Sequence, residues 1–256
     1  MIEKREYMEL AKLYDIFMEE VDYKNWADKM IALKDSSGEK GKVLELGCGT
    51  GNLTLEFLKM GYEVVALDIS QEMLTVADDK LGKYRSRLKL IKQDMKDMDI
   101  GKGYKSIFCG CDGFNYILDE KELLGVFKKC HGALISGGSL VFDISSQWKI
   151  ENVLGNNIFR EERGNCEIFW MNSYNVDKRV LEMDITFFVP DRQDEEGEQL
   201  YKKFDEYHIQ RAYSTDQIIR MLEKENFDKI EVFGADGKTK PKEKDERLFF
   251  SCRKRL

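Results

Sequence analysis

Apolar positions change their spacing along this 256-residue chain, and each change marks a different kind of element. Between residues 3 and 19, Tyr7, Leu10, Ala11, Tyr14 and Phe17 recur at steps of three and four, which predicts a helix. A second helix is predicted over 23–34, with Trp26, Met30, Ile31 and Leu33 as its apolar positions. The polar stretch from Asp35 to Gly41 predicts a linker. Short apolar runs then alternate with helical patterns. Strands are predicted at Lys42–Leu46 and Glu63–Leu67, around a helix from Asn52 to Met60 that packs Leu53, Phe57 and Met60 on a sheet. Ser70 is the expected N-cap of a helix reaching Lys80, with Met73, Leu74 and Ala77 inward. Leu88–Lys92 and Ser106–Cys109 predict strands. Glu120–Leu134 predicts a helix broken by Gly137-Gly138, and Leu140–Ile144 a fifth strand. Repeated βα units of this kind form a mostly parallel sheet covered on both faces.

Beyond residue 150 the helices drop out. Cys166–Tyr174, Val180–Val189 and Gln199–Ile209 predict strands, with turns at 175–178 and in the charged segment 191–198. Three or four strands in succession predict an antiparallel sheet inserted late in the α/β unit. Ser214-x-x-Gln217 is a capping box opening a helix to about Glu225. Strands at 228–233 and 246–252 complete a seven-stranded sheet. The expected division is 1–150 with 214–256 as one α/β domain under an N-terminal helical cover, and 151–213 as an antiparallel β subdomain.

Composition narrows the function classes. With 42% hydrophobic and 35% charged residues, the chain has the make-up of a soluble globular protein. A net charge of −7 argues against a protein built around phosphate backbones, so nucleic acid is not an expected partner. No apolar run is long enough to span a bilayer, and the charged start Met1-Ile2-Glu3-Lys4-Arg5-Glu6 is not a secretory signal. The six cysteines form no CxxC pair and are expected as free thiols of a cytoplasmic protein. With His131 and His208 as its two histidines, no histidine-rich metal site is expected.

The candidate site lies where the first strand meets its helix. Gly47, Gly49 and Gly51 follow Glu45, and glycines let backbone approach a ligand where a Cβ would clash. A dinucleotide fingerprint needs G-x-G-x-x-G, but position 52 is Asn. Asp68 ends the second predicted strand, 68 − 51 = 17 residues past the last glycine. A carboxylate there accepts hydrogen bonds from two ribose hydroxyls. Asp94-Met95 ends the third strand, and Cys109-Gly110-Cys111-Asp112 the fourth.

An acidic residue ahead of G-x-G-x-G, with these strand-end carboxylates, resembles the class I S-adenosylmethionine (SAM)-dependent methyltransferases. The resemblance implies a Rossmann-like seven-stranded sheet and SAM as cofactor. Carried over, Glu45, Gly47, Cys48, Gly49 and Gly51 line the methionine and ribose portions, and Asp68 holds the ribose. Ile69 packs on adenine with Met73 beside it. Asp94 accepts from the adenine amino group, and the Met95 N–H meets a ring nitrogen. Cys111 belongs to the strand end that faces the methyl group. The chain has neither the Asp/Asn-Pro-Pro-aromatic signature of nucleic-acid adenine methyltransferases nor a Pro-Cys nucleophile, which points to a small-molecule acceptor. Lys105 and the Cys-Gly-Cys run depart from the usual fourth strand.

Further motifs narrow the resemblance: Leu13-Tyr14-Asp15-x-x-Met18, Asp22-Tyr23-x-x-Trp26, Asp112-Gly-Phe-Asn115-Tyr116 and Glu206-x-His208-x-x-Arg211-Ala212-Tyr213. They are similar to a bacterial subgroup that joins the SAM fold to an antiparallel lid, distantly related to sugar N,N-dimethyltransferases and glycine N-methyltransferase. There the N-terminal helices fold over the cofactor. Tyr14 then either donates to the methionine carboxylate or is an aromatic core residue; Tyr23 and Trp26 are core positions first. His208 shares a strand face with Glu206 and Gln210. It is either a proton acceptor for the incoming nucleophile or a hydrogen-bonded sheet residue. Arg211 either clamps an acidic group on the substrate or pairs with Asp205 or Glu206. His131 sits at a helix C-terminus and favours the dipole. The expected activity is methyl transfer to N, O or C of a small molecule. The alternatives are a methyltransferase of RNA or protein, a non-catalytic SAM-binding regulator, or a nicotinamide-dependent oxidoreductase on the related fold.

Overall fold

The computed structural model describes residues 11, 13–34 and 40–255. The predicted helical positions Tyr7 and Leu10 and most of the 35–41 linker lie outside them. Residues 13–17 are helical. Helix α1 (Tyr23–Leu33) starts where the Asp22 side chain accepts from the Asn25 N–H. The alternating half comprises β1 (Lys42–Leu46), α2 (Asn52–Lys59), β2 (Glu63–Asp68), α3 (Gln71–Leu81), β3 (Leu88–Lys92), β4 (Tyr104–Cys109), α4 (Glu120–Ala133) and β5 (Leu134–Ser145). Then come β6 (Ile158–Arg163), β7 (Cys166–Asn175), β8 (Val180–Gln193), β9 (Gln199–Arg211), α5 (Thr215–Lys224), β10 (Phe227–Phe233) and β11 (Arg247–Lys254). The Ser214–Gln217 capping box is formed at α5.

The first sheet runs β3-β2-β1-β4-β5-β11-β10, parallel except for β11, which is antiparallel to both its neighbours. β1 pairs with β2 on one side and β4 on the other, so connections leave in opposite directions there. That reversal opens a crevice at the carboxyl ends of the strands. α1, α2 and α3 cover one face through Met30, Leu53, Phe57, Leu74 and Leu81; α4 and α5 cover the other through Leu123, Phe127, Ile218 and Leu222. Stacked rings join helix to sheet and strand to strand: Phe57 lies on Phe108 at 4.6 Å, and Phe142 on its cross-strand neighbour Phe250 at 4.9 Å. Truncating one such buried Phe to Ala costs about 3–5 kcal/mol.

The second sheet, β6-β7-β8-β9, is antiparallel throughout. One face of it, carrying Ile168, Phe187 and Phe204, packs against Leu13 and Phe17 of the N-terminal segment. Leu181, Met183 and Ala212 pack on Ile150.

One expectation needs correction. Gly137 and Gly138 do not break a helix; they lie inside β5, which starts directly after α4 at Leu134. A Cβ on Gly138 would stand 3.0 Å from the Ile135 carbonyl and 3.1 Å from that of Lys105, so glycine lets β5 pass close to β4. The strand β6 and the π-helical turn Lys149–Leu154 were not foreseen. β6 is an edge strand of alternating half-buried and exposed positions, and its sequence, Ile-Phe-Arg-Glu-Glu-Arg, carries charge where a core strand carries apolar side chains. The six cysteines are free thiols, and all but Cys111 are buried. Among the described residues no helix is long and apolar enough to cross a membrane.

Candidate active site

Gly47, Gly49 and Gly51 all have left-handed backbone, with φ of 66°, 53° and 80°. They do different things. A Cβ on Gly51 would stand 2.8 Å from Leu81 Cδ1 and 3.2 Å from Ala77 Cβ, so this glycine lets α3 approach the turn. A Cβ on Gly49 would meet nothing within 4 Å, so its Cα faces open space. The turn is tied to the end of β2: Asp68 Oδ2 accepts from the Gly49 N–H at 2.8 Å, and the Leu67 carbonyl from the Cys48 N–H at 3.0 Å. Asp68 Oδ1 accepts from the Ser70 N–H at 2.9 Å. Burial raises the Asp68 carboxyl, opposed by the hydrogen bonds from Ser70 and Gly49.

Glu45 is buried under the turn, where Thr54 Oγ1 donates to it at 2.5 Å. Burial pushes its pKa up to about 8, against that hydrogen bond and helped by the charge of Asp68. Beside Asp68, Ile69 leaves 65% of its surface exposed. Met73, half-buried at the start of α3, gives its N–H to the Ser70 hydroxyl at 3.1 Å. At the end of β3, Asp94 accepts from the Lys96 N–H at 2.8 Å and lies 3.6 Å from the Lys96 ammonium. The Met95 methyl reaches within 3.5 Å of where a Gly47 Cβ would be, so the glycine turn and the β3 end border one crevice.

The end of β4 is held by a buried charge network. Cys111 and Asp112 are consecutive non-glycine residues with φ of 54° and 51°. Both N–H groups donate to Asp143, at 3.0 Å each, which over-determines this costly backbone. Asp143 is fully buried and also accepts from Trp26 Nε1 at 2.9 Å and from Arg247. Arg247 pairs with Asp112 at 2.8 Å and lies over the Trp26 ring at 4.4 Å. Burial acts to raise the Asp112 carboxyl, but Arg247 overcomes it and holds the carboxyl below its usual range. Burial keeps the Asp143 carboxyl raised despite the same guanidinium. Burial also pushes the Cys111 thiol well up, so it is no thiolate nucleophile. Sequence reasoning missed Asp143, because it sits inside an apolar run, and Arg247, because only the fold brings the last strand beside β5. Trp26, expected in the core first, packs half-buried against the core beside Phe249 and also commits its indole N–H to Asp143.

The N-terminal segment docks on the turn. Asp15 accepts from Thr50 Oγ1 at 2.6 Å and Asn52 Nδ2 at 3.0 Å, and pairs with Lys80 at 2.7 Å. This places Tyr14 among Tyr23, Cys111, Asp112 and Tyr116. Burial raises both phenols, that of Tyr23 to about 12. From the inserted sheet, Gln210 donates to Asp112 at 2.8 Å, and His208 lies between Glu206 and Tyr116. Arg211 does not make the ion pair with Asp205 or Glu206 that was one of its two expected roles. Its guanidinium donates to the Leu118 carbonyl at 2.6 Å and to Glu120 at 2.5 Å, because β9 ends against the loop after β4. Asn115, fully buried, donates from Nδ2 to the carbonyls of Ser145 and Arg211 at 3.1 and 2.9 Å, joining the two sheets. His131 stands in the last turn of α4, its ring edge-on to Phe227.

An adenosyl group fits these residues: open space over Gly49, a strand-end carboxylate tied to the glycine turn, and an exposed isoleucine beside it. A separate cavity of about 370 Å³ is lined by Ser146, Trp148, Ser214 and Leu248, and by none of this constellation.

Known proteins agree with that fit. The methyltransferase-domain family matches residues 43–138. The Bacillus subtilis (strain 168) protein YqeM, which bears a provisional methyltransferase name, is 30% identical over 249 residues, 97% of each chain. A solved S-adenosylmethionine-dependent methyltransferase from Clostridium acetobutylicum ATCC 824 superposes with a TM-score of 0.84 at 32% identity, covering 98% of this chain and 99% of that one. The sugar N-methyltransferase KedS8 from Streptoalloteichus sp ATCC 53650 shares the fold, with a TM-score of 0.74 at 18% identity over 95% of this chain and 93% of that one. The chain belongs to the S-adenosylmethionine-dependent methyltransferase family.

Proposed function

We propose that this protein transfers the methyl group of SAM to a small molecule held between the strand-end crevice and the inner face of the inserted sheet. The observation that carries the reading is the convergence of three parts of the chain on one place. The glycine turn and Asp68 come from the first sheet, Glu206, His208 and Gln210 from the second, and Tyr14 and Tyr23 from the N-terminal cover. Bound SAM supplies a methyl carbon on a positively charged sulfur, already activated for in-line displacement. The chain's task is alignment and exclusion of water. Asp68 would hold the ribose hydroxyls, Ile69 and Met73 the adenine face, Asp94 and the Met95 N–H the adenine edge. Gly47, Cys48, Gly49 and Gly51 would offer backbone to the methionine and ribose, with Glu45 beneath them and Tyr14 above. Cys111 and Asp112 would border the methyl group.

Residues 151–213 then act as a substrate lid on the unit formed by 1–150 and 214–256. Arg211 positions that lid on Leu118 and Glu120 rather than reaching for the acceptor. A small acceptor is favoured over nucleic acid by the net charge of −7 and by the carboxylate of Glu206 beside His208. The test is incubation with methyl-labelled SAM and, separately, a small-molecule extract, bulk tRNA and a protein lysate. Label is expected in the small-molecule fraction; label confined to tRNA or protein would overturn the choice of acceptor.

A further inference from the structure

Tyr116 lies just beyond the left-handed pair at the end of β4. It is surrounded by Tyr14, Asp112 and Gln210, yet 46% of its surface is open. Its hydroxyl is 3.3 Å from His208 Nδ1, with the rings edge to face at 5.9 Å and 68°. The other imidazole nitrogen, Nε2, is 2.7 Å from Glu206 Oε2. A carboxylate only accepts, so Nε2 is the donor to Glu206, and in the neutral imidazole, which carries a single hydrogen, Nδ1 keeps a lone pair. Tyr116 therefore donates to Nδ1. Both nitrogens of His208 are thereby committed, and His208 has none left to meet a substrate directly. The phenol oxygen of Tyr116 keeps lone-pair capacity toward the cleft. Gln210 bonds both this phenol and Asp112, anchoring Tyr116 to the buried Arg247 network.

Resting on the reading of the cleft given above, we propose that Tyr116 is a catalytic residue. It takes the proton of the methyl acceptor and relays it to His208, which Glu206 orients. The acceptor is then an amine or hydroxyl whose nucleophilic atom carries hydrogen. The balance is closed. The acceptor lone pair forms the bond to the methyl carbon, and the carbon–sulfur bond breaks with its pair left on sulfur. The acceptor hydrogen moves to the Tyr116 oxygen, and the Tyr116 hydrogen moves to Nδ1. The positive charge that entered on sulfur ends as an imidazolium beside Glu206. The His208 side chain, 29% exposed, returns that proton to water. Burial pushes the Tyr116 phenol above its usual range, which keeps it a proton carrier rather than a resting phenolate.

Two histidines make the test direct, because ¹⁵N spectra of the full chain contain two imidazoles, assigned with His131→Gln. At neutral pH His208 is expected with hydrogen on Nε2, and Tyr116→Phe is expected to move the Nδ1 resonance. With methyl-labelled SAM and a small-molecule extract, Tyr116→Phe is expected to lower kcat about 100-fold or more, with KM for SAM unchanged within about twofold. His208→Asn is expected to follow it. Hydrogen on Nδ1, an Nδ1 resonance unmoved in Tyr116→Phe, or a Tyr116→Phe enzyme turning over like the parent would overturn the relay. Absence of transfer by the parent protein would instead sink the acceptor reading, and the relay with it.

Discussion

Glu45 and the three glycines beyond it make separable demands on the chain. Enclosure raises the Glu45 pKa to about 8 from an ordinary 4.5. A folded pKa above the unfolded one means the fold favours the protonated form. That contribution is complete below about pH 4.5 and is lost as pH rises toward about 8. Glu45→Gln is therefore expected to flatten the stability–pH curve of the ligand-free protein between about pH 5 and 8. Thermal melts with equal slopes for parent and variant would contradict this. Gly49→Ala and Gly51→Ala separate binding from folding. Both place a Cβ on left-handed backbone, at a cost of about 1 kcal/mol. Gly51→Ala adds contact with Leu81 and Ala77, for a total of about 2–3 kcal/mol. Gly49→Ala adds no contact but fills the crevice, so it is expected to weaken SAM binding more than it lowers Tm. Calorimetry and melting of both variants check this, and equal effects on binding would contradict it.

At the level of elements, the parallel half was legible almost residue by residue. β1 and β3 have the predicted bounds, and Ser70 and Ser214 cap the helices expected of them. Their signals are local: an apolar run, a cap, a glycine turn. What was not legible depends on distant partners. β6 is a strand because β7 pairs with it, not because its charged sequence alternates toward a core. The left-handed backbone at Cys111 and Asp112 is set by Asp143 on β5 and balanced by Arg247 on β11, two segments that no short motif links. That loop yields a prediction at its own scale. Arg247→Met leaves the enclosed Asp143 without its cation and is expected to cost about 3–5 kcal/mol, read as a lower midpoint in denaturant. Arg247→Met with Asp143→Asn is expected to recover part of that loss. A single variant as stable as the parent would show that the guanidinium does not neutralise Asp143.

For the whole molecule, three parts that are far apart in sequence close on one crevice. The first sheet provides its floor. The N-terminal segment is pinned to the glycine turn through Asp15, and to the second sheet through Leu13 and Phe17. The second sheet is pinned back to the first through Asn115, Arg211 and Gln210. A ligand binding there touches all three, so it stabilises the fold as one unit; at 100 times its Kd that is about 2.7 kcal/mol. Isothermal titration of the ligand-free protein with SAM, set beside Asp68→Ala, is the most direct examination of this arrangement. The parent is expected to bind one equivalent, and Asp68→Ala to lose about 100-fold in affinity or more, since two hydrogen bonds to a charged group are removed. An Asp68→Ala protein that binds SAM as tightly as the parent would contradict the account.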